Sequence, residues 1–432
     1  MKRVLIIQTA FIGDVILASS MVEAVQKHRP DWKIDILVRK GNESLLSNNP
    51  HINEVLIWDK SKKVKSLFKN IRKIRSNKYY AVFNVQRFLN SGIATALSMA
   101  TYKIGFKQNP ASFLFTHKID HKIPHKIESG HFHEVQRNAQ LLTPVIEELA
   151  PNEIVRPKLY FNEVINTKIR QITLEKGPYI VLAPTSVWFT KQWSFERWTE
   201  LSQILSKKYQ LFFIGAPSDK NSIDSIINGI SNCHNLAGKL SLLESARLMM
   251  DAHRVFVNDS APLHLASSVN AKTTSIFCST VPEFGYTPLS EEAKVISSIP
   301  RLDCQPCGLH GKKACPLGHF KCSLNISAAR VANTTKDNTP PLYHIIDKAS
   351  FDKAQSEGSY QPKSLEEEGF IHLSFGEQVE ETGKLFYQGV EDLLLIEVEA
   401  SSEWDVRIED GFPHLYSELP MDAVISVREI SF

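Results

Sequence analysis

Short, wholly apolar runs alternate with longer helical periodicities along most of the chain. Val4–Ile7, Ile34–Val38, Val55–Trp58, Tyr80–Val85 and Lys103–Phe106 predict strands, and Ile16–Lys27 and the basic stretch Lys60–Arg75 predict helices between them. Apolar strands alternating with helices imply a parallel sheet covered on both faces. After Ala150-Pro151-Asn152 and Arg156-Pro157 the rhythm restarts, with strands at Tyr179–Ala183, Leu211–Ile214, Arg254–Val257 and Thr274–Phe277. Helices are expected over Phe195–Lys208, near Ser222–Ile230 and over Ala261–Ser268. Two successive doubly wound units predict a two-lobed α/β protein with a cleft between Rossmann-like lobes at 1–150 and 151–332. Residues 333–341 are polar, end in Pro340-Pro341 and read as a linker. Strand-like Leu342–Ile346, Phe370–Leu373, Leu393–Val398 and Ala423–Ile430 then predict a separate, small α+β module over 342–432.

Apolar residues make up 43% and charged residues 22% of the 432 positions, which excludes wholesale disorder and fibrous repeats. The net charge of +3 conceals a division. From Lys336 to Phe432 there are 7 basic and 21 acidic residues, a net of −14, which leaves +17 on residues 1–335. A basic body suits an anionic partner such as a nucleotide, a phosphorylated glycolipid or a membrane surface. Its lysines and arginines are scattered and no nucleic-acid motif interrupts the α/β pattern, so nucleic acid is not the expected partner. Asp14 breaks the first apolar run, which therefore reads as strand and turn rather than as a signal peptide. No stretch is long enough to span a bilayer, and four of the six cysteines crowd into 304–322 instead of framing the chain. A cytoplasmic protein is expected.

Three loops carry candidate chemistry. Asp14, in Ile12-Gly13-Asp14, follows the carboxyl end of the first strand, where an open α/β sheet has its ligand crevice. It could accept a proton from a sugar hydroxyl, although spacing alone favours capping of a helix that begins at Val15. The second loop, Ala183 to Trp193, brings the hydroxyls of Thr185 and Ser186 and the ammonium of Lys191 to the end of a strand, a set suited to phosphate oxygens or to plain solvent. In the third, Val257 to His264, Asp259-Ser260-Ala261-Pro262 opens a helix whose free amides would form an anion site, with His264 beside it or simply in the core. Asp219 and the turn containing Gly238, Lys239 and Leu240 stand where a nucleoside could be held.

Taken together, Ile12-Gly13-Asp14, Ala183–Trp193, Phe213–Asp219, Asn235–Leu240 and Asp259–Ala266 resemble, in order and spacing, the ADP-heptose:lipopolysaccharide heptosyltransferases of glycosyltransferase family 9. The resemblance implies a GT-B fold with an acceptor lobe followed by a nucleotide-sugar lobe, and inverting transfer with no obligatory metal. It implies Asp14 as general base, and Lys191, Thr185, Ser186 and the amides around Asp259, Ser260 and Ala261, with His264, at the phosphates and sugar. Asp219, Lys239 and Leu240 would lie near adenosine, and Gln86, Arg87, Glu134 and Arg137 are acceptor candidates. The implied partners are an ADP-sugar and an anionic lipid-linked glycan at the inner membrane face, to which the enzyme would be peripheral. Two alternatives remain open at this point: another nucleotide sugar as donor, or a nucleotide-sugar-binding protein without transfer activity.

Cys304, Cys307, Cys315 and Cys322 could close a structural zinc site, or could pack a loop as reduced thiols. In the acidic module, Tyr343-His344-Ile345, Gly369–Ser374, Gln378 and Glu409–Tyr416 resemble domain of unknown function 952. That family looks like a distant relative of the ADP-ribosyltransferase fold, which implies an NAD-like ligand. His344, His372, Ser374, His414 and Tyr416 are the expected pocket residues, and a purely regulatory module is the alternative.

Overall fold

Strand β1 (Arg3–Gln8) buries Val4–Ile7 completely on both of its faces, as a central strand of a covered parallel sheet does. The computed structural model describes residues 1–123, 132–174, 177–335, 341–399, 404–409 and 411–432, so positions 336–340 of the expected linker lie outside the described residues. In it, β1 joins β2 (Lys33–Arg39), β3 (Ile52–Trp58), β4 (Ala81–Asn84), β5 (Tyr102–Phe106) and β6 (His117–Ile119) in a parallel sheet ordered β3-β2-β1-β4-β5-β6. Helix α1 (Ile12–His28) is buried on every side from Val15 to Val25, because it lies between this sheet and the second lobe. On the opposite face, α2 (Lys63–Ser76) and α3 (Leu89–Ala96) cover the sheet with Leu67, Ile71, Ile74, Ile93 and Ala94.

Helices α4 (Glu134–Ala139) and α5 (Glu163–Thr173) lead into a second sheet of the same plan. Its strands are β7 (Tyr179–Ala183), β8 (Gln210–Phe213), β9 (Cys233–Asn235), β10 (Arg254–Asn258), β11 (Thr273–Phe277) and β12 (Ala293–Ser297), ordered β12-β11-β10-β7-β8-β9 and all parallel. Its helices are α6 (Phe195–Leu205), α7 (Lys220–Ile226), α8 (Leu242–Met250), α9 (Ala261–Ser268), α10 (Lys321–Leu324) and α11 (Ala328–Asn333). Both sheets therefore reverse strand order, the first between β1 and β4 and the second between β7 and β10. The expected strands are present. The sheet-edge strands β6, β9 and β12 add three that periodicity did not show, being short or half-exposed and without a run of buried residues.

The lobes share one apolar core, in which Ile16, Val22 and Val25 of α1 join Leu243, Met249 and Leu263 of α8 and α9. A buried polar brace crosses the same junction. Arg137, 2% exposed, donates from Nε to Glu134 at 2.7 Å, from Nη2 to the Phe284 carbonyl at 2.7 Å, and from Nη1 to the Phe132 carbonyl. His133 meets the Thr287 carbonyl at 3.0 Å, and the Glu134 amide donates to the Gly285 carbonyl at 2.8 Å. Gly285 has φ +80°, and a Cβ there would stand 2.5 Å from the Phe132 oxygen, so only glycine fits this crossing.

The last module carries a four-stranded antiparallel sheet of β13 (Leu342–Asp347), β16 (Ser374–Phe375), β17 (Leu393–Val398) and β21 (Val424–Ile430), ordered β16-β13-β17-β21. Beside it are a ribbon of β14 (Ser359–Tyr360) with β20 (Leu419–Pro420) and a small sheet of β15 (Ile371–His372), β19 (Phe412–Leu415) and β18 (Val406–Glu409). It is fastened to the second lobe: Arg330 donates to the Ser297 and Ile425 carbonyls, Lys294 pairs with Glu399 at 2.6 Å, and Ile299 packs into the module's core.

Removing one partner of a buried ion pair strands the other charge. Arg137→Ala is therefore expected to destabilise the protein by about 3–5 kcal/mol. Denaturant unfolding checks this, and a loss below 1 kcal/mol would mean that the brace is replaceable by water.

Candidate active site

The site is assembled from the loops that leave the central strands at the two reversal points. Asp14 is the third residue of α1, which starts at Ile12 and not at Val15, and its Oδ2 accepts the Phe11 amide at 3.2 Å. Capping and a chemical role are thus compatible, since one carboxylate oxygen stays free of that bond. Burial, and then the negative charge of Glu134, push the Asp14 pKa up to about 6, against the opposing amides and Arg87. Burial alone would raise Glu134 as well, but His121 at 3.1 Å and Arg137 outweigh it and hold that carboxyl at about 2.

The amino ends of α1 and α9 abut. A Cβ added to Gly13 would lie 3.1 Å from His264 Cδ2 and 3.8 Å from the Ala261 Cα. Asp259, just before α9, takes the Lys191 ammonium at 2.6 Å and the Thr280 hydroxyl at 2.6 Å on Oδ2. Ser260 is the N-cap of α9 but its hydroxyl turns back to the Asn258 carbonyl, so it caps no amide. His264 is buried, its Nδ1 has no hydrogen-bond partner, and burial lowers its pKa to about 3, so the imidazole is neutral.

Lys191 sits in a loop that is held from three sides. Asn258 accepts the Trp193 amide at 3.0 Å and donates to the Pro184 carbonyl at 2.8 Å. Thr190 exchanges hydrogen bonds with Lys312, its amide to the Lys312 carbonyl and the Lys312 amide to its hydroxyl. Gly311 lies so close that a Cβ would be 3.0 Å from Lys191 Cγ. Thr185 donates to Asp219 Oδ2 at 3.0 Å, and the same oxygen takes the Ala216 amide at 2.7 Å, tying the β7 loop to the β8 loop. Ser186 Oγ lies 3.4 Å from the Trp188 amide. Lys239 is exposed beside Gly238, and half-buried Leu240 packs on the shared core.

The four acceptor candidates divide. Arg87 is exposed near Asp14, whereas Gln86 is buried and its amide donates to Gln8. Glu134 and Arg137 are buried in the interlobe brace, so Arg137 is out of an acceptor's reach and Glu134 reaches the site by its charge. Two cations that the motifs did not signal, Lys60 and Arg39, share this rim. Burial, then Arg39, lowers the Lys60 pKa, and Asp14 opposes that shift. Thr280 was also missed, and Asn258, inside the third marked stretch, was given no role of its own.

All six cysteines are free thiols, and among the described residues no three His, Cys, Asp or Glu side chains stand in a metal-holding arrangement. Burial, then Cys304, Cys315 and Cys307, push Cys322 up to about 12, while four backbone amides of residues 317–320 draw Cys315 down despite burial. The observed work of this loop is mechanical, as its 311–312 tip clamps the Lys191 loop. In the last module, Phe370 stacks on His414 at 4.1 Å and touches His372 and Tyr416. His344 and Ser374 do not join that largely half-buried cluster. His344 is buried beneath it on the His372 carbonyl, and Ser374 is buried against Thr382.

Comparisons with known proteins bear on the fold and the family. Lipopolysaccharide heptosyltransferase 3 of Escherichia coli is 27% identical over 286 residues, 62% of this chain and 82% of that protein. Lipopolysaccharide heptosyltransferase 2 of Escherichia coli K12 is 22% identical over 316 residues, 69% of this chain and 88% of that protein. The structure of Escherichia coli ADP-heptose lps heptosyltransferase II matches with a TM-score of 0.62 at 20% identity, covering 77% of this chain and 97% of that one. The Escherichia coli heptosyltransferase WaaC with ADP matches at 0.58 and 19%, covering 76% and 97%. Both show a shared GT-B-like fold. Residues 345–427 match the protein family of unknown function DUF952. The profile of glycosyltransferase family 9 (heptosyltransferase) matches residues 67–319, more than half of the sequence, and the chain belongs to that family.

Proposed function

We propose that this glycosyltransferase moves heptose from ADP-heptose, with inversion, onto an anionic lipid-linked glycan of the lipopolysaccharide core kind at the inner membrane face. The observation that carries the reading is the meeting of the two helix amino ends, one bearing Asp14 and the other Asp259 with Lys191. Free amides and positive helix ends favour a diphosphate there, and Lys191 would exchange Asp259 for phosphate oxygens. Asp14 takes the proton of the acceptor hydroxyl while that oxygen bonds to the anomeric carbon. The bond from that carbon to the diphosphate breaks, and ADP leaves with its electron pair. Neutral His264 is the apolar-side wall between the helices and adds no repulsion. Thr185, Ser186, Asp219 and the Gly238–Leu240 turn fit the adenosine side, and Arg87, Lys60 and Arg39 suit an anionic acceptor.

The Cys-rich loop would hold Lys191 in place. The proposed transfer uses no metal there, and a structural zinc would require the four thiols to leave their present arrangement, in which no three stand as a metal-holding group. The stacked Phe370, His372, His414 and Tyr416 could receive a flat ring, such as a base of an NAD-like ligand, which would make the last module a binding appendage.

A base must be ionised to act, so kcat/KM is expected to fall on the acid side with an apparent pKa near 6, the value at Asp14. Asp14→Asn retains the cap on Phe11 and should lower kcat roughly 10²- to 10⁴-fold with unchanged ADP affinity. Turnover like that of the wild type would remove Asp14 from the reaction. Lys191→Ala should weaken ADP binding about tenfold or more by calorimetry, the worth of one charge-assisted hydrogen bond. Equal affinity would sink its phosphate role.

A further inference from the structure

Helix α2 leaves β3 with an outward face unlike that of an ordinary surface helix. Its inner side is filled by Ser66, Leu67, Asn70, Ile71 and Ile74. Val64 and Phe68, four residues apart, form a ridge on the outer side, flanked by exposed Lys65, Lys69 and Arg72. Lys60 to Ser76 holds six lysines and two arginines and no acidic residue. Lys73 and Arg75 are engaged, with Glu54 and with the Leu97 carbonyl, whereas no ion pair is formed by Lys65, Lys69 or Arg72 among the described residues.

The ridge does not stand alone. Phe88 and Leu89 leave β4, and Phe113 and Leu114 leave β5, so in a parallel sheet all of them lie at the same carboxyl edge as the start of α2. Asn109 ties the last two pairs together by donating to the Phe88 carbonyl at 3.0 Å and the Gln86 carbonyl at 2.9 Å. The six apolar side chains are each between 50 and 72% exposed along this edge, which runs from β3 across β2 and β1 to β4 and β5. Arg87 and Lys60, at the mouth of the Asp14 site, border this edge.

We propose that the edge formed by the first turns of α2, the start of α3 and the 112–114 turn docks on an anionic phospholipid bilayer, with Val64, Phe68, Phe88, Leu89, Phe113 and Leu114 entering the headgroup boundary and Lys65, Lys69 and Arg72 pairing with lipid phosphates. Apolar side chains flanked by lysines, with no acidic residue between them, match an acidic interface and no other occupant as well. No helix among the described residues is long and apolar enough to cross the bilayer, so this contact would be peripheral. The inference rests on the reading of the acceptor as lipid-linked, for docking here turns the Asp14 mouth toward the membrane plane.

The test is flotation of the full chain with vesicles of phosphatidylethanolamine and phosphatidylglycerol against vesicles of phosphatidylcholine alone. The wild type should float with the anionic vesicles and release them at high salt. Val64→Ser with Phe68→Ser, and separately Lys65→Glu with Lys69→Glu, should weaken partition about tenfold or more, with an unchanged unfolding midpoint and unchanged ADP affinity. Wild-type protein that stays in solution, or variants that float as well as the wild type, would overturn the proposal. So would a dimer in vesicle-free sedimentation that the Val64/Phe68 variant dissociates, since the face would then cover a second copy. ADP binding on the same samples keeps the two readings apart: protein that binds ADP but not vesicles loses only the docking surface, and protein that binds vesicles but not ADP loses only the donor assignment.

Discussion

Two helix amino ends, one from each lobe, are held against each other at Gly13 and His264, and the remaining features of the site follow from that contact. Two positive helix ends brought together repel, so the junction is stabilised by negative charge or a bound anion. In the free protein Asp14 and Asp259 supply it, and Lys191 is drawn in by Asp259. The hydrophobic core common to both lobes and the Arg137 brace hold the two ends together despite their fields. His264 is tolerated between them because burial keeps it neutral. A side chain at position 13 would crowd the imidazole, since its Cβ would lie 3.1 Å from His264 Cδ2.

This arrangement also explains why Asp14 is tuned as it is. Glu134 is fixed as a carboxylate by His121 and Arg137, and its charge acts on the half-buried Asp14 across the junction. The residue that braces the lobes thereby raises the pKa of Asp14. Structural and chemical roles are coupled through one buried carboxylate, and a search for acceptor contacts alone would misassign it.

Much of the fold was legible because wholly apolar runs such as Val4–Ile7 and Tyr179–Ala183 have few alternatives to a covered parallel strand. The edge strands β6 and β9 were not, since His117–Ile119 and Cys233–Asn235 bury little and are held by neighbours rather than by their own pattern. Asp14, Lys191 and Asp259 could be marked because each follows a strand. The contacts around them could not, as Lys191 meets Asp259 from a distant loop of the same lobe, and Gly13 meets His264 from the other lobe, more than two hundred positions away. Arg137 was marked as an acceptor candidate, but burial placed it in the brace. Lys60 and Arg39 escaped notice because a lysine or arginine in a basic chain carries no signal until its neighbours are known. The Cys-rich loop was visible as a cluster, whereas its clamp on Thr190 uses backbone groups that spacing does not report.

The central claim is that the junction of the two helix ends is a site for an ADP-linked heptose. The most direct measurement is the shift in unfolding temperature of the full chain with ADP, ADP-heptose, and UDP- and GDP-sugars at equal concentration, because a ligand of the folded state raises it according to its saturation. A rise with ADP, a larger one with ADP-heptose and none with the uridine or guanosine compounds is the predicted result. A rise with a UDP- or GDP-sugar alone, or with none of the panel, would contradict the account.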